Sequence, residues 1–409
     1  MNLLFYLLVF LLVLIVSSTT NKLLPFLPMP LIQILLGIGI GLCLPNNQYH
    51  LDTELFLALV IGPLLFREAQ EADVTSILKH WRIVLYLIFP VIFISALSMG
   101  GLAHVLWASL PLAACVAVGA ALGPTDLVAF ASLSQRFFFP KRVSNILKGE
   151  GLLNDASGLV AFRVALIAWT TGTFSLTQAG TSLAISIVGG FAVGFITALI
   201  NRFLHTFLLS VRATDIASEL LLEISLPLLT FFIAEEIHVS GIIAVVVAGI
   251  LKASRFKKIN LLEAQVDTVT ETVWHTVTFM LNGSVFVILG MELEMIAEPI
   301  LKSAFYNKVL LLLSVFLLTF LLFAIRFVMI YGFYALRIKK LQKSFHKYVK
   351  DMLLLTFSGV KGTVSIATIL LIPSNLEQEY PLLLFLVAGV TLVSFLTGLV
   401  VLPHLSEEQ

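Results

Sequence analysis

The sequence predicts an all-α polytopic membrane protein with about 13 transmembrane helices, and three observations predict it. Hydrophobic residues make up 59% of the 409 and charged residues only 12%, with a mean hydropathy of +1.03. A soluble domain with that balance lacks the polar side chains to cover its surface. Apolar stretches of roughly 17–25 residues, the length that crosses a bilayer, recur along the whole chain. Lys and Arg gather in alternate loops between them, the charge asymmetry expected of membrane topology.

Taken in order, the opening stretch "MNLLFYLLVFLLVLIVSSTT" lacks the basic residues that begin a signal peptide, so 3–16 reads as a first, short span. Lys22 separates it from 27–44, which is followed by 51–66. Arg67, Lys79 and Arg82 precede 83–99, and 109–131 is followed by Arg136, Lys141, Arg142 and Lys148. Next come 150–171 and 180–200, then Arg202 and Arg212. Spans 216–236 and 239–254 lead to Lys252, Arg255, Lys257 and Lys258. Spans 272–291 and 308–335 end at Arg337, Lys339, Lys340, Lys343, Lys347 and Lys350, before 352–372 and 380–402. About 20 basic residues thus fall on one side, against about two, Lys302 and Lys308, on the other. The positive-inside rule makes the rich side cytoplasmic, the N-terminus external and the C-terminus internal. The expected location is the plasma membrane, the inner membrane of a bacterium.

Several function classes drop out. A net charge of +1 gives no reason to expect nucleic acid. Cys43 and Cys115 lie in apolar surroundings and suggest neither a disulfide framework nor a metal site. Walker-type and zinc-protease patterns are absent. The last span is followed only by "PHLSEEQ", and no loop is long enough for a nucleotide-binding domain. The expectation is one membrane domain over 1–409, with no soluble regulatory domain, no enzyme activity and no cofactor.

The chemistry sits where charge is costly. Asp126, Glu150, Asp155, Arg163, Arg326 and Lys361 fall within predicted spans, with Glu68 near a boundary. Each costs at least ~2.5–3.5 kcal/mol at a helix centre on insertion scales, so each calls for a partner or a task. In "ALGPTDLVAF", Gly123 weakens the helix and Pro124 cannot donate a backbone hydrogen bond. The span should break there, with Thr125 and Asp126 at the break. Freed backbone groups at that depth persist only when buried in protein or lining a wet cavity. Asp126 is placed to offset the positive end of the half-helix that follows.

In "FSGVKGTVSIATILLIP", Gly359 and Gly362 flank Lys361, about 14 Å into its span at 1.5 Å per residue. That lysine has no route to the interface and suits the negative end of a half-helix. Two broken spans running in opposite directions point to a secondary transporter's midplane site. In "GEGLLND", Gly151 and Asp155 share one helix face, as do Glu150 and Asn154. Asp155, about 9 Å into the span 150–171, is suited to bind either a proton or a small cation, and the competition between them is sufficient for exchange. Glu150 lies nearer the interface, and Arg326, in "FAIRFVMIY", is its best counter-charge.

These residues resemble the cation/proton antiporter superfamily, in its sodium/proton exchanger branch (the NhaP and NHE type). Thr125 and Asp126 match the family's Thr-Asp pair in an unwound helix, and "GEGLLND" matches its G-E-S-L-L-N-D. Arg326 matches the arginine that pairs with the family's glutamate, here Glu150, and "GVKG" resembles its G-L-R-G. The resemblance implies the NhaA-like antiporter fold, with inverted repeats and crossed discontinuous helices. It also implies a homodimer in membrane lipid, with a moving core of about 83–171 and 308–402 and a dimerisation scaffold of about 3–66 and 180–291. The ion-binding aspartate falls on Asp155, which would hold the transported Na⁺ as its one metal. Asn154 beside it is typical of electroneutral members. The sequence departs from the pattern at Gly151, where relatives have a coordinating serine, and at Lys361, where they have arginine. The glutamate that archaeal relatives carry in an earlier helix corresponds to Glu68 if the register of "PLLFREAQEA" holds.

The expected function is therefore antiport of Na⁺ or Li⁺ against H⁺. A K⁺/H⁺ antiporter is the nearest rival, because Gly151 leaves a wider site. An intramembrane aspartyl protease would need two membrane aspartates such as Asp126 and Asp155, but its Gly-x-Gly-Asp signature is missing.

Overall fold

The computed structural model describes residues 2–24, 27, 29–43, 53–72, 74–126, 129–130, 138–172, 176–211, 215–253, 261–302, 306–341, 346–372 and 380–405. Among them the regular structure is all helical. The order is α1 (Asn2–Leu23), α2 (Met29–Cys43), α3 (53–71), α4 (Val74–Leu78), α5 (Trp81–Leu106) and α6 (Leu112–Ala121). Then follow α7 (Lys141–Thr171), α8 (Leu176–Ser210), α9 (Ile216–Glu236), α10 (Gly241–Ala253) and α11 (Leu261–Lys302). The chain ends in α12 (Lys308–Leu341), α13 (His346–Phe357), α14 (Thr363–Ile369) and α15 (Tyr380–Leu405). Seven helices among the described residues are long and apolar enough to cross a membrane, and α2, α6, α10 and most of α1 are shorter apolar helices.

Two expected spans differ from simple rods. The span 352–372 is divided into α13 and α14 by a non-helical stretch, 359–362. The span 109–131 loses its helix after Ala121 and is helical again at 129–130; Leu127, Val128 and residues 131–137 lie outside the described residues. A third difference is a boundary. α7 begins at Lys141, nine residues before the predicted start at Glu150. Its opening turns carry Lys141, Arg142 and Lys148, and hydropathy is blind to a helix whose first turns are charged. Glu150 is therefore deep within α7 rather than near its end, and Asp155 is roughly 21 Å along it at 1.5 Å per residue.

The helices form two compact units, one of residues 1–50, 75–175 and 285–409, the other of 51–74 and 176–284. In the first unit, small residues let backbones approach. Gly119 lies against the backbone of Ala96, and Gly100 against that of Val116, which seats α6 on α5. Gly37 of α2 faces the Val287 carbonyl and Gly290 of α11. This contact ties the first two helices to the unit containing 83–171 and 308–402. α5 is interrupted by a π-turn, Leu87–Val91, built around Pro90. Proline removes a helical donor there, and Ser157 of α7 donates to the Ile88 carbonyl at 2.9 Å.

The second unit holds a buried polar cluster on unbroken helices. Gln70 Nε2 donates to Glu223 Oε1 (2.7 Å), and Lys252 Nζ lies 3.3 Å from Glu223 Oε2. The same ammonium donates to Asn201 Oδ1 (3.1 Å), and His205 Nε2 is 3.2 Å from Glu219 Oε2. The cluster connects α3, α8, α9 and α10 mainly by side chains, with Asn201 Nδ2 also donating to the Leu222 carbonyl at 3.3 Å. Glu68 also belongs to this unit, half-buried on α3.

Candidate functional site

The site is built where two chain breaks cross within the first unit. After α6 the chain turns at Leu122 and runs without helix through Gly123, Pro124, Thr125 and Asp126. The other break passes from Ser358 through Gly359, Val360 and Lys361 to Gly362, the residue before α14. A main-chain hydrogen bond joins them, from the Asp126 amide to the Val360 carbonyl at 3.0 Å.

Each break supplies the charge that the other needs. Lys361 Nζ donates to the carbonyls of Gly123 (2.8 Å) and Pro124 (2.6 Å), just past the C-terminal end of α6, where helix carbonyls lack partners. An ammonium there also meets the negative end of the helix dipole. Asp126 does the converse. Its carboxylate lies against Gly362 at the start of α14, and its Oδ1 accepts from the Ala129 amide at 2.9 Å. A methyl group at Gly362 would collide with that carboxylate, so the crossing requires glycine for its closeness. The Lys361 amide is held by Ser394 Oγ of α15 at 3.1 Å.

α7 runs beside this crossing and contributes three side chains. Gly158 makes room for Pro124; a methyl there would strike the proline ring. Asn154 Nδ2 donates to the Thr125 carbonyl at 2.9 Å, holding the break open. Glu150 forms a two-pronged ion pair with Arg326 of α12, Nη1 to Oε1 at 2.6 Å and Nη2 to Oε2 at 2.8 Å. The guanidinium also donates to Thr125 Oγ1 (3.1 Å) and to the Leu355 carbonyl (2.9 Å), while Thr125 Oγ1 donates to Glu150 Oε1 (2.9 Å). A methyl group at Gly359 would displace the guanidinium. Glu150 is 1% exposed and Arg326 3%, so the pair is dry, and its geometry is that of the strong fork-to-carboxylate bond.

Asp155 differs. It is 4% exposed, and its Oδ1 has no hydrogen-bond partner among the described residues; neither does Asn154 Oδ1 beside it. The charges of Asp126 and Lys361 reach it. Gly151 is buried one turn earlier on α7.

The cluster thus contains three carboxylates, Asp126, Glu150 and Asp155, and two cations, Arg326 and Lys361. With all five ionised it carries one negative charge in excess. A buried excess charge calls for neutralisation, and one proton or one monovalent cation is the matching amount. Asp155 Oδ1 and Asn154 Oδ1, both acceptors without a hydrogen-bond partner among the described residues, stand open to either. The structure therefore assembles Thr125, Asp126, Glu150, Asn154, Asp155, Arg326 and Lys361 in one place. Sequence reasoning missed Ser157 and Ser394, whose hydroxyls look like ordinary small residues in an apolar run.

A family model described as "Sodium/hydrogen exchanger, transmembrane" matches residues 7–407. A Bacillus subtilis protein named "Sodium, potassium, lithium and rubidium/H(+) antiporter" is 35% identical over 415 residues, covering 100% of this chain and 62% of its own length. Its namesake from Bacillus pumilus is 35% identical over 400 residues, covering 96% and 60%. The chain thus spans about three-fifths of these relatives. The Escherichia coli protein "Uncharacterized Na(+)/H(+) exchanger YjcE" is 31% identical, covering 99% of this chain and 76% of its own. The solved structure of the sodium proton antiporter MjNhaP1 from Methanocaldococcus jannaschii superposes with a TM-score of 0.71 at 17% identity, over 99% of this chain and 98% of that one. At that identity the likeness establishes the fold, an antiporter fold of packed membrane helices.

Proposed function

We propose that this chain, which belongs to the sodium/hydrogen exchanger family, exchanges a monovalent cation for a proton across a membrane by alternating access. The observation that carries the reading is Asp155, a buried carboxylate with an unpartnered oxygen in a cluster one negative charge in excess. A proton on Asp155 neutralises the cluster, and so does a cation held by Asp155 and the Asn154 carboxamide oxygen. The two cannot be held together without leaving one positive charge buried. A site that is stable with either ligand and costly with neither couples the two fluxes.

Glu150 and Arg326 do not take part in the exchange. Their charges cancel, and their hydrogen bonds bind α7 to α12 and to the Thr125 break. Asn154 is always neutral, so one carboxylate carries one proton or one cation, and no net charge moves per cycle. Na⁺ and Li⁺ are the proposed cations. K⁺ is the second reading, favoured by the missing serine at Gly151 and by the names of the Bacillus relatives. The helices of about 83–171 and 308–402 are the proposed moving part against a scaffold of about 3–66 and 180–291, and the protein is a homodimer in the plasma membrane with the N-terminus outside. Glu68 is proposed to line the cation's path.

The test is purified protein in liposomes, with internal pH followed as Na⁺, Li⁺ or K⁺ is added outside. Antiport predicts that internal pH rises on cation addition. A protein of native size that moves no protons with any of the three cations would refute the reading. A response to K⁺ at least equal to that to Na⁺ would select the second.

A further inference from the structure

One buried carboxyl group lies outside the cluster just described. Glu292, on the second half of α11, is 1% exposed, and its Oε2 has no hydrogen-bond partner among the described residues. The described residues recorded against this part of α11 bring no positive charge to it. α2 meets it through Gly37, Gly41 and Ile34, and its one ionisable side chain is Cys43, exposed at its end. α15 meets it through Phe395, against Phe286, and through Tyr380, whose phenol lies within electrostatic reach of the carboxyl. On α11 itself the neighbouring ionisable group is Glu294, which lies against Gly41 and is another acid.

A carboxylate in such surroundings has three ways to exist. It can pair with a cationic side chain, bind a metal ion, or hold a proton. No cationic side chain among the described residues is placed to pair with it. A metal ion needs several oxygen ligands around it, and α11 is unbroken through this stretch, so its carbonyls are committed to the helix. The described residues contain no group of three or more His, Cys, Asp or Glu able to hold a metal. The contrast with Asp155 is direct, since there two chain breaks free the backbone.

We propose that Glu292 is a second proton-binding site of this protein, separate from Asp155, and that it carries its proton in the folded state. The proton makes the contact of α11 with α15 compatible with a buried carboxyl that Tyr380 approaches. Loss of the proton in alkaline medium would leave an unpaired charge there and loosen the contact. Nothing in this depends on the exchange reaction proposed above.

The test is difference infrared spectroscopy of the purified full-length chain in lipid, with thermal unfolding measured across pH. The wild type and Asp155→Asn should both show a protonated-carboxyl C=O band that shifts in D₂O and is missing from Glu292→Gln. Glu292→Gln, which mimics the protonated form in shape and charge, should match the wild type in unfolding temperature below about pH 4, where the unfolded wild type also keeps its proton, and should exceed it at neutral pH, where unfolding releases that proton to water. It should also lose part of the decline in stability that the wild type shows as pH rises. If wild type and Glu292→Gln have the same carboxyl bands, the proposal is wrong. If Glu292→Gln is markedly less stable at neutral pH or fails to fold, the native group is ionised, and the proposal is equally wrong.

Discussion

Each compact unit buries a polar cluster, and the two clusters are built on opposite plans. In the second unit Gln70, Asn201, Glu223 and Lys252 sit on unbroken helices and satisfy one another through side chains. In the first unit Asp126 and Lys361 stand where two helices are broken, and main-chain groups satisfy them. Lys361 holds the carbonyls of Gly123 and Pro124, and Asp126 caps the amide of Ala129. A side-chain cluster on intact helices locks a packing arrangement. A cluster at chain breaks offers backbone dipoles to whatever binds. The difference teaches that burial and charge alone do not tell the two clusters apart; a buried acceptor beside broken helix does.

The sharpest way to break this comparison is Asp155→Asn. Cation-driven proton movement should fall by well over tenfold, with the protein still folded. Substantial exchange by a well-folded Asp155→Asn protein would mean that the coupling group lies elsewhere. Gly362→Ala comes next. Its methyl meets the Asp126 carboxylate, and overpacking of this kind costs typically 1–3 kcal/mol or more, so both exchange and unfolding temperature should drop. Lys361→Ala should likewise fail, while Lys361→Arg should keep activity because the charge persists. An active alanine variant would show that the crossing stands on its glycines.

Glu150→Gln breaks a dry, bidentate pair, and removing one partner of such a pair costs on the order of 3–5 kcal/mol. Thermal stability and yield should fall, and a protein as stable as wild type would contradict a structural role. In the second unit, Lys252→Met should reduce stability by a smaller amount, roughly 1–3 kcal/mol, and leave exchange per folded molecule unaltered. Adding Glu223→Gln should recover part of the loss. If Lys252→Met stops exchange without reducing stability, the contrast between the two clusters fails. The smallest expected effect is none at all: changing the membrane potential with a valinomycin clamp, set by an ion that the protein does not carry, should leave initial rates unchanged. A rate that climbs steeply with potential would make Lys361 a second proton carrier.

Much of this was readable in the chain. Pro124 after Gly123 announces a break because no helix forms normally across that pair, and Lys361 between two glycines announces the other. Glu150 and Arg326 could be matched because the resemblance supplied the pairing and both lie in apolar runs. The readable part ends where hydropathy averages hide local facts. The charged turns from Lys141 to Lys148 disguised nine residues of α7. Glu219, Glu223 and Glu292 lie toward the ends of apolar runs, where a carboxylate passes for a loop residue, yet all three are buried. Lys252 was counted with the loop that follows it, but it reaches back to Glu223 and Asn201. Only packing reveals such partners, since they lie far apart in sequence.

The bond between the Asp126 amide and the Val360 carbonyl has a consequence for genetics. Among the described residues it is the one direct main-chain tie between the two breaks, and every amino acid except proline preserves both of its atoms. Side-chain scanning will therefore leave it intact and assign its contribution to neighbours such as Gly362 or Lys361. Replacing residue 126 by the corresponding hydroxy acid, which exchanges the amide N–H for an ester oxygen, removes the donor and spares the carboxylate. That single-atom change separates the strength of the tie from the charges placed around it.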